Sequence, residues 1–345
     1  MNAASKNFDG VNKYIRITDI DELTAEYKQD SLVSPDALLE DKYLVKDGDI
    51  LFARTGASTG KTYIYAPQDG KLYYAGFLIR ANVNFGTNPK FVFYQTQTHR
   101  YKKWVSIMSM RSGQPGINSQ EYASYQFWKP TKEEQDKISD LITLLDQRIK
   151  TQKKIIEKYE SLIRGLYHSC FCNSESTTTK LSDVVTIVKG KQVNGENLLE
   201  NGQYYVMNGG IEPSGYLNEY NTPADTISIS EGGNSCGYIQ YNKETFWSGG
   251  HCYSLMPKSE NIYYRFLYHF LKYKENDIMA LRIGSGLPNV QKKDLERFEV
   301  QLPSLERQIE VTTLLDTISA KRDLERHLHH VRQSQKEYLL GGIFI

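Results

Sequence analysis

Cysteine is scarce in this chain of 345 residues: Cys170, Cys172, Cys236 and Cys252 form no C-x-x-C pair, so neither a disulfide framework nor a cysteine-based zinc site is expected. Long apolar runs are also missing. No stretch supplies the ~20 apolar residues that a bilayer span needs, and the start MNAASKNFDG has neither the basic patch nor the apolar core of a secretory leader. The expected location is cytoplasmic, with no membrane partner. Charge of one sign is equally short, since 42 Lys and Arg against 41 Asp and Glu leave a net charge of +1. A protein that depends on bulk attraction to phosphate is usually strongly basic, so a nucleic-acid surface here must come from local segregation of charge.

Catalytic constellations are missing too. Gly56-Ala57-Ser58-Thr59-Gly60-Lys61-Thr62 imitates a phosphate-binding loop, but it has three residues where that loop needs four before Gly-Lys-Thr. Its continuation Tyr63-Ile64-Tyr65-Ala66-Pro67 reads as a strand, not as the required helix, so a glycine turn between two strands is expected. The single Asn-Pro pair, Asn88-Pro89-Lys90-Phe91, lacks the second proline of a base-flipping methyltransferase motif. His327, His329 and His330 have no metal-ligand spacing. No catalytic residue, metal or cofactor is expected on this chain.

An internal repeat organises what is there. Ser112-Gly113-Gln114-Pro115 leads to Pro130, and Ser285-Gly286-Leu287-Pro288 leads to Pro303, with both prolines displaced by 173 positions. Upstream, Asp49 to Gly56 parallels Asp225 to Gly232, and downstream Leu144-Leu145-Asp146 parallels Leu314-Leu315-Asp316. The fold class is α/β (α+β): two tandem mixed α/β globules, each followed by a long helix. Boundaries follow at 1–131 for the first globule, 132–170 for its helix, 171–180 for a polar linker, 181–304 for the second globule and 305–345 for the C-terminal helix. The second copy has about twenty residues, Leu181 to Glu200, ahead of its counterpart to Tyr14-Ile15-Arg16, where the first offers Met1 to Lys13; an opening strand is expected to be missing from the first.

The long helices carry apolar stripes at heptad spacing. Ile138, Leu145, Ile149, Ile156 and Leu162 in the first, and Leu314, Ile318 and Leu328 in the second, are the expected helix-pairing positions. From Glu133 to His168 the first helix would be roughly 54 Å long at ~1.5 Å per residue. Antiparallel pairing within one chain buries both stripes most simply, and a homodimeric coiled coil is the competing arrangement.

Arginine, serine and asparagine recur around the Ser-Gly-x-Pro turns, beside glycines that let backbone approach a ligand. Candidate DNA contacts are Arg54, Lys61, Arg111, Ser112 and Asn118 in the first copy, and Asn234, Arg282, Ser285, Asn289 and Lys292 in the second. The same turns could instead be loops that cap the following unit.

Phe127-Trp128-Lys129-Pro130 with Glu133-Glu134-Gln135, repeated as Phe298 to Pro303 with Glu306-Arg307-Gln308, resembles the specificity subunits of type I restriction-modification systems. Tyr14-Ile15-Arg16-Ile17-Thr18-Asp19-Ile20 and Lys180-Leu181-Ser182-Asp183-Val184 resemble openings of their target-recognition domains. The resemblance covers nearly the whole chain. It implies a noncatalytic subunit that binds a bipartite target on double-stranded DNA, with two methyltransferase subunits and, in the full complex, restriction subunits as partners. S-adenosylmethionine and ATP would belong only to those partners. The alternative is a non-DNA scaffold whose duplicated domains and helical hairpin join protein partners.

Overall fold

The computed structural model describes residues 1–110, 114–172, 176–258, 262–284 and 286–344. It divides into two compact units, Met1–Lys153 with His327–Ile345 and Lys154–Arg326. The cuts fall inside the long helices, not in the polar linker.

Unit 1 opens with β1 (Ala4–Asn7), β2 (Lys13–Ile15) and β3 (Val33–Asp36), β1 and β3 forming an antiparallel pair. Its central sheet is built from β4 (Asp49–Ala53), β5 (Thr62–Ile64) and β7 (Leu78–Asn82) in the order β5-β4-β7, while β6 (Leu72–Tyr74) runs parallel to β2. The β-branched and aromatic residues of these runs suit a pleated, half-buried surface. Two helices follow the sheet, α1 (Pro89–Gln95) and α2 (His99–Met108). Asn88 caps the start of α1, and Thr98 explains the break between the two, because its side-chain oxygen accepts the Tyr101 N–H and starts α2 afresh. The short α3 (Ser119–Ala123) precedes the long α4 (Lys132–Cys172).

In unit 2 the stretch drawn as a linker ends as a strand, β8 (Thr177–Lys180), because its threonines suit an extended edge and pair with a later strand. Next come α5 (Leu181–Val184), β9 (Val185–Lys189), β10 (Tyr204–Met207), β11 (Tyr216–Leu217), β12 (Thr226–Ser230), β13 (Ile239–Asn242), β14 (Trp247–Ser248) and β15 (Cys252–Pro257). The central sheet has four strands in the order β13-β12-β15-β9. Then α6 (Tyr264–Tyr273), α7 (Glu275–Ala280), α8 (Lys292–Glu296), β16 (Glu299–Leu302) and α9 (Leu305–Ile343) complete the chain. The two units thus repeat one plan, and unit 1 lacks a counterpart of β9 among the described residues.

Helix pairing is antiparallel within each unit. In unit 1, Lys336 lies 2.6 Å from Asp146 and Arg332 donates to Gln152, so the sequence rises along α4 as it falls along α9. In unit 2, Arg326 and Glu160 form an ion pair at 2.6 Å. Leu145 is buried, and Ile149, Ile156, Ile318 and Leu328 are half-buried. Ile138 packs in a cluster with Phe91, Ile142, Leu340 and Phe344, which belongs to the globule as much as to the seam. Leu162 and Leu314 correct the reading of the stripe: they are 45% and 43% exposed, and their neighbours Ile163 and Leu315 point inward.

Candidate nucleic-acid interface

Each unit presents a tight turn between the second and first strands of its sheet, held against the loop that contains the Ser-Gly-x-Pro sequence. In unit 1, β4 and β5 pair antiparallel and are joined across Gly56 (φ 71°) and Gly60 (φ 89°). That hairpin excludes the phosphate-loop reading, since a strand follows the glycines. A Cβ on Gly60 would lie 2.4 Å from Val105, so only glycine lets the turn sit on α2. The Gly56 N–H donates to Pro115 O at 2.9 Å, and the Ile117 N–H to Arg54 O at 2.9 Å. Two tyrosines complete the clamp: the Tyr122 hydroxyl donates to Ala53 O at 2.6 Å and that of Tyr101 to Gly60 O at 3.1 Å.

Unit 2 builds the same corner. Gly233 N–H donates to Pro288 O at 3.1 Å, Val290 N–H to Glu231 O at 2.8 Å, and Gly237 N–H to Ser230 O at 2.8 Å. Gly233 (φ 81°) and Gly237 (φ 89°) match Gly56 and Gly60. These bonds set the repeat register: Arg54 stands where Glu231 stands, Gly56 with Gly233, Lys61 with Tyr238 and Ile117 with Val290. The pairing of Asp49 with Asp225 was one residue off, because the Gly232-Gly233 doublet offers two glycines for one place.

The candidate contacts are distributed as follows. Arg54 is exposed beside the turn, and Lys61 is half-buried with its Nζ 3.2 Å from a Glu22 carboxylate oxygen. Asn118 is a helix cap: its Oδ1 accepts the N–H groups of Gln120 and Glu121, both at 2.9 Å. It aligns with Gln291, not with Asn289. Asn234 is exposed at the tip of the unit 2 turn, and Arg282 and Asn289 are exposed on the opposing loop. Ile283 and Asn289 exchange backbone hydrogen bonds of 2.9 and 3.0 Å, which pinches that loop. Lys292, at the start of α8, lies 3.7 Å from Glu296. Arg111, Ser112 and Ser285 lie outside the described residues.

The structure adds groups that sequence reading missed. Glu231 is buried, accepts the Tyr253 hydroxyl at 2.8 Å and pairs with Lys189 at 2.8 Å, which locks the carboxylate beneath the corner. The repeated glutamines of the two helix starts are joints. Gln135 donates to Pro130 O at 2.8 Å and accepts the Asn88 N–H at 3.0 Å. Gln308 donates to Pro303 O at 3.0 Å and accepts the Tyr263 N–H at 2.8 Å. Their recurrence five residues after a proline was the visible signal.

A second joint in unit 2 ties α6 to α9. Asp316 accepts from Arg265 at 2.8 Å and from His269 Nε2 at 2.8 Å, while the Tyr167 hydroxyl lies 3.1 Å from His269 Nδ1. With the proton on Nε2, a neutral imidazole satisfies both partners. Burial holds His269 below its ordinary value, against the pull of Asp316. Burial alone would raise the Asp316 carboxyl, but the His269 and Arg265 donors outweigh it and bring it to about 2.

Among the described residues no helix is long and apolar enough to cross a membrane, and no cluster of His, Cys, Asp or Glu could hold a metal.

Residues 1–161 and 173–331 each match the family model described as the type I restriction modification DNA specificity domain. A putative type I specificity subunit of Mycoplasma pneumoniae is 35% identical over 131 residues, covering 38% of this chain and 35% of its own length. A putative type I specificity subunit of Mycoplasma genitalium is 29% identical over 161 residues, covering 43% of this chain and 42% of its own. The matches thus span less than half of these two relatives. The putative MjaX specificity subunit of Methanocaldococcus jannaschii is 23% identical over 343 residues, covering 87% of this chain and 79% of its own length. The crystal structure of a type I restriction-modification S subunit from M. genitalium shares the fold, with a TM-score of 0.75 at 19% identity over 99% of this chain and 90% of that one. With two copies of the matching domain, the chain belongs to the family of type I restriction-modification specificity subunits.

Proposed function

We propose that this chain is the noncatalytic DNA-recognition subunit of a type I restriction-modification complex, each unit reading one half of a split target on double-stranded DNA. The observation that carries the reading is one backbone corner built twice with different side chains: Arg54 against Glu231, Lys61 against Tyr238, Phe77 against His251. Two copies with unlike surfaces suit an asymmetric bipartite sequence, since base edges are read by side-chain donors and acceptors in the groove. Arg54 serves the first half-site, and Arg282, Asn234 and Asn289 the second.

The partners are two methyltransferase subunits, which bring S-adenosylmethionine, and restriction subunits, which bring ATP. Leu141 and Leu314 support the pair of docking sites, because each follows its joint glutamine by six positions and they are 48% and 43% exposed. Equivalent exposed leucines on two helices offer one apolar contact twice. The cytoplasm is the compartment this role requires.

The test is co-purification of the chain with a methyltransferase subunit, followed by mapping of methylated sites. A gapped, asymmetric methylated sequence is expected, with Arg54→Ala and Arg282→Ala relaxing different halves. A complex that assembles but methylates without sequence preference would favour the scaffold reading.

A further inference from the structure

Helix α2 carries Arg100, Lys102 and Lys103 and no aspartate or glutamate. All three cations are exposed, and none of them has an ion-pair partner among the described residues. The helix is seated on the unit 1 corner. Val105 fills the space above Gly60, and the Tyr101 hydroxyl donates to Gly60 O at 3.1 Å. Tyr101 and Trp104 pack inward against Tyr125, so at 3.6 residues per turn Lys102 and Lys103 fall on the outer face. Lys102 precedes Val105 by three positions and therefore stands beside it, next to the turn.

Such a helix is built against its own electrostatics. Arg100 and Lys103, three positions apart, are neighbours on the helix surface and repel. All three cations lie in the first half of the helix, where positive charge opposes the dipole, and no carboxylate occupies the first turn to relieve it.

Unit 2 handles the same place differently. Its α7 is pressed onto the matching turn, since a Cβ on Gly237 would lie 2.8 Å from Met279 as one on Gly60 would lie 2.4 Å from Val105. In that register Lys274, Asn276 and Asp277 stand for Arg100, Lys102 and Lys103. Lys274 pairs with Asp277 at 3.0 Å and Lys272 with Glu275, so positive charge is cancelled locally. Glu275 and Asp277 in the first turn also suit the helix dipole. The corner is built twice, but the free positive charge beside it only once.

We propose that α2 is a phosphate-backbone contact: Arg100, Lys102 and Lys103 engage the phosphates of double-stranded DNA beside the half-site read by the unit 1 corner, and α7 makes no such contact in unit 2. The inference rests on the recognition reading of the corner, which brings DNA to this face. Duplex DNA offers a regular row of anions, which suits long, flexible cations free of acidic neighbours. Phosphate contacts fix position and carry no sequence information. The three cations therefore set the affinity of the complex and its salt dependence, not the bases read. They supply the local segregation of charge that a chain of net charge +1 needs in order to bind DNA.

The test uses the complex of the full chain with its methyltransferase subunits and two labelled duplexes, one carrying the sequence found by methylation mapping and one scrambled. Anisotropy titrations over roughly 50–200 mM salt give the slope of log affinity against log salt, to which each neutralised phosphate contributes ~0.9. Lys102→Gln with Lys103→Gln should lower that slope by about 1.8, so that affinity falls about tenfold less over the range, and should weaken both duplexes alike. Lys102→Arg with Lys103→Arg should restore the slope. Lys274→Gln with Asp277→Asn, which removes the matching pair of unit 2, should leave it unchanged. Specific binding with an unchanged slope in the glutamine variant, or an equal fall in the unit 2 variant, would overturn the proposal and leave the recognition reading standing. A lowered slope in a complex indifferent to sequence would keep the phosphate contacts and overturn the recognition reading, and failure to bind either duplex would overturn both.

Discussion

Substituting Gln308→Met removes two partly buried hydrogen bonds at the joint between the second globule and α9 while keeping the side-chain length. Gln308 is 1% exposed, so the groups it served, the Tyr263 N–H and the Pro303 carbonyl, lose their partner in a place with little access to water. A buried polar group left unmade costs ~1–3 kcal/mol, and the proline carbonyl at the helix start recovers part of that from solvent, so the loss should be about 3 kcal/mol. For a unit of this size that lowers the thermal midpoint by roughly 6–12 °C. The measurement is calorimetry of the full chain, with exchange at the Tyr263 amide as the local readout. Gln135→Met should act in the same way on unit 1 through the Asn88 amide. An unchanged midpoint with rapid exchange confined to Tyr263 would show that the joint aligns the elements without stabilising them, and the energetic reasoning would fail.

Deleting Ile149 to Ile155 removes one heptad, roughly 10 Å of helix or about three base pairs; methylation mapping should return a shorter gap between half-sites or no assembly. Arg282→Ala should weaken binding by ~1–3 kcal/mol with altered preference in one half-site if the arginine reads a base, and weaken all sequences alike if it touches phosphate; fluorescence anisotropy with target variants separates the two. Acidification should loosen unit 2. The depressed His269 value means that stability present above pH ~6.5 falls as the pH drops through the folded value, and Asp316, lowered from 3.8 to about 2, adds a further loss between those two values that Asp316→Asn should abolish. Purified chain should show no ATP turnover, measured as phosphate release; turnover abolished by Lys61→Ala would contradict the hairpin assignment.

Much of this plan was legible in the residues, and the failures have local causes. The duplication, the long helices and the glycine turns left marks that do not depend on tertiary contacts, since heptad spacing and positive-φ glycines are written in short stretches. Identity misled where packing decides. Leu144-Leu145-Asp146 looks like Leu314-Leu315-Asp316, yet the joint glutamines align Leu141-Ile142 with Leu314-Leu315, and Ile142 and Leu315 are both fully buried. The capping role of Asn118 could not be read ahead, because asparagine serves both as cap and as base reader and the helix it starts is too short to announce itself. The threonine run before Leu181 looked like a linker because an edge strand needs a partner, β16, that lies more than a hundred residues later. Glu231, buried against Tyr253 and paired with the exposed Lys189, had no signal at all, since its partners come from separate strands.

The corner itself shows how specificity can vary without refolding. Its clamps are backbone groups, glycines and tyrosine hydroxyls: Gly56 to Pro115, Ile117 to Arg54, Tyr122 to Ala53. The side chain of Arg54 takes no part in them, and neither does that of Asn234 in the second copy. Substitution at such exposed positions is usually nearly neutral for stability, so the residues proposed to face DNA can change while the turn stays in place. Glu231 is the exception, because its carboxylate is buried and paired; replacing it would leave the buried Tyr253 hydroxyl only its longer contact with Val290 O at 3.3 Å. On the proposed function, reading by the second unit would then fall to Asn234, Arg282, Asn289 and His251, exposed groups around Glu231 that the fold leaves free to differ.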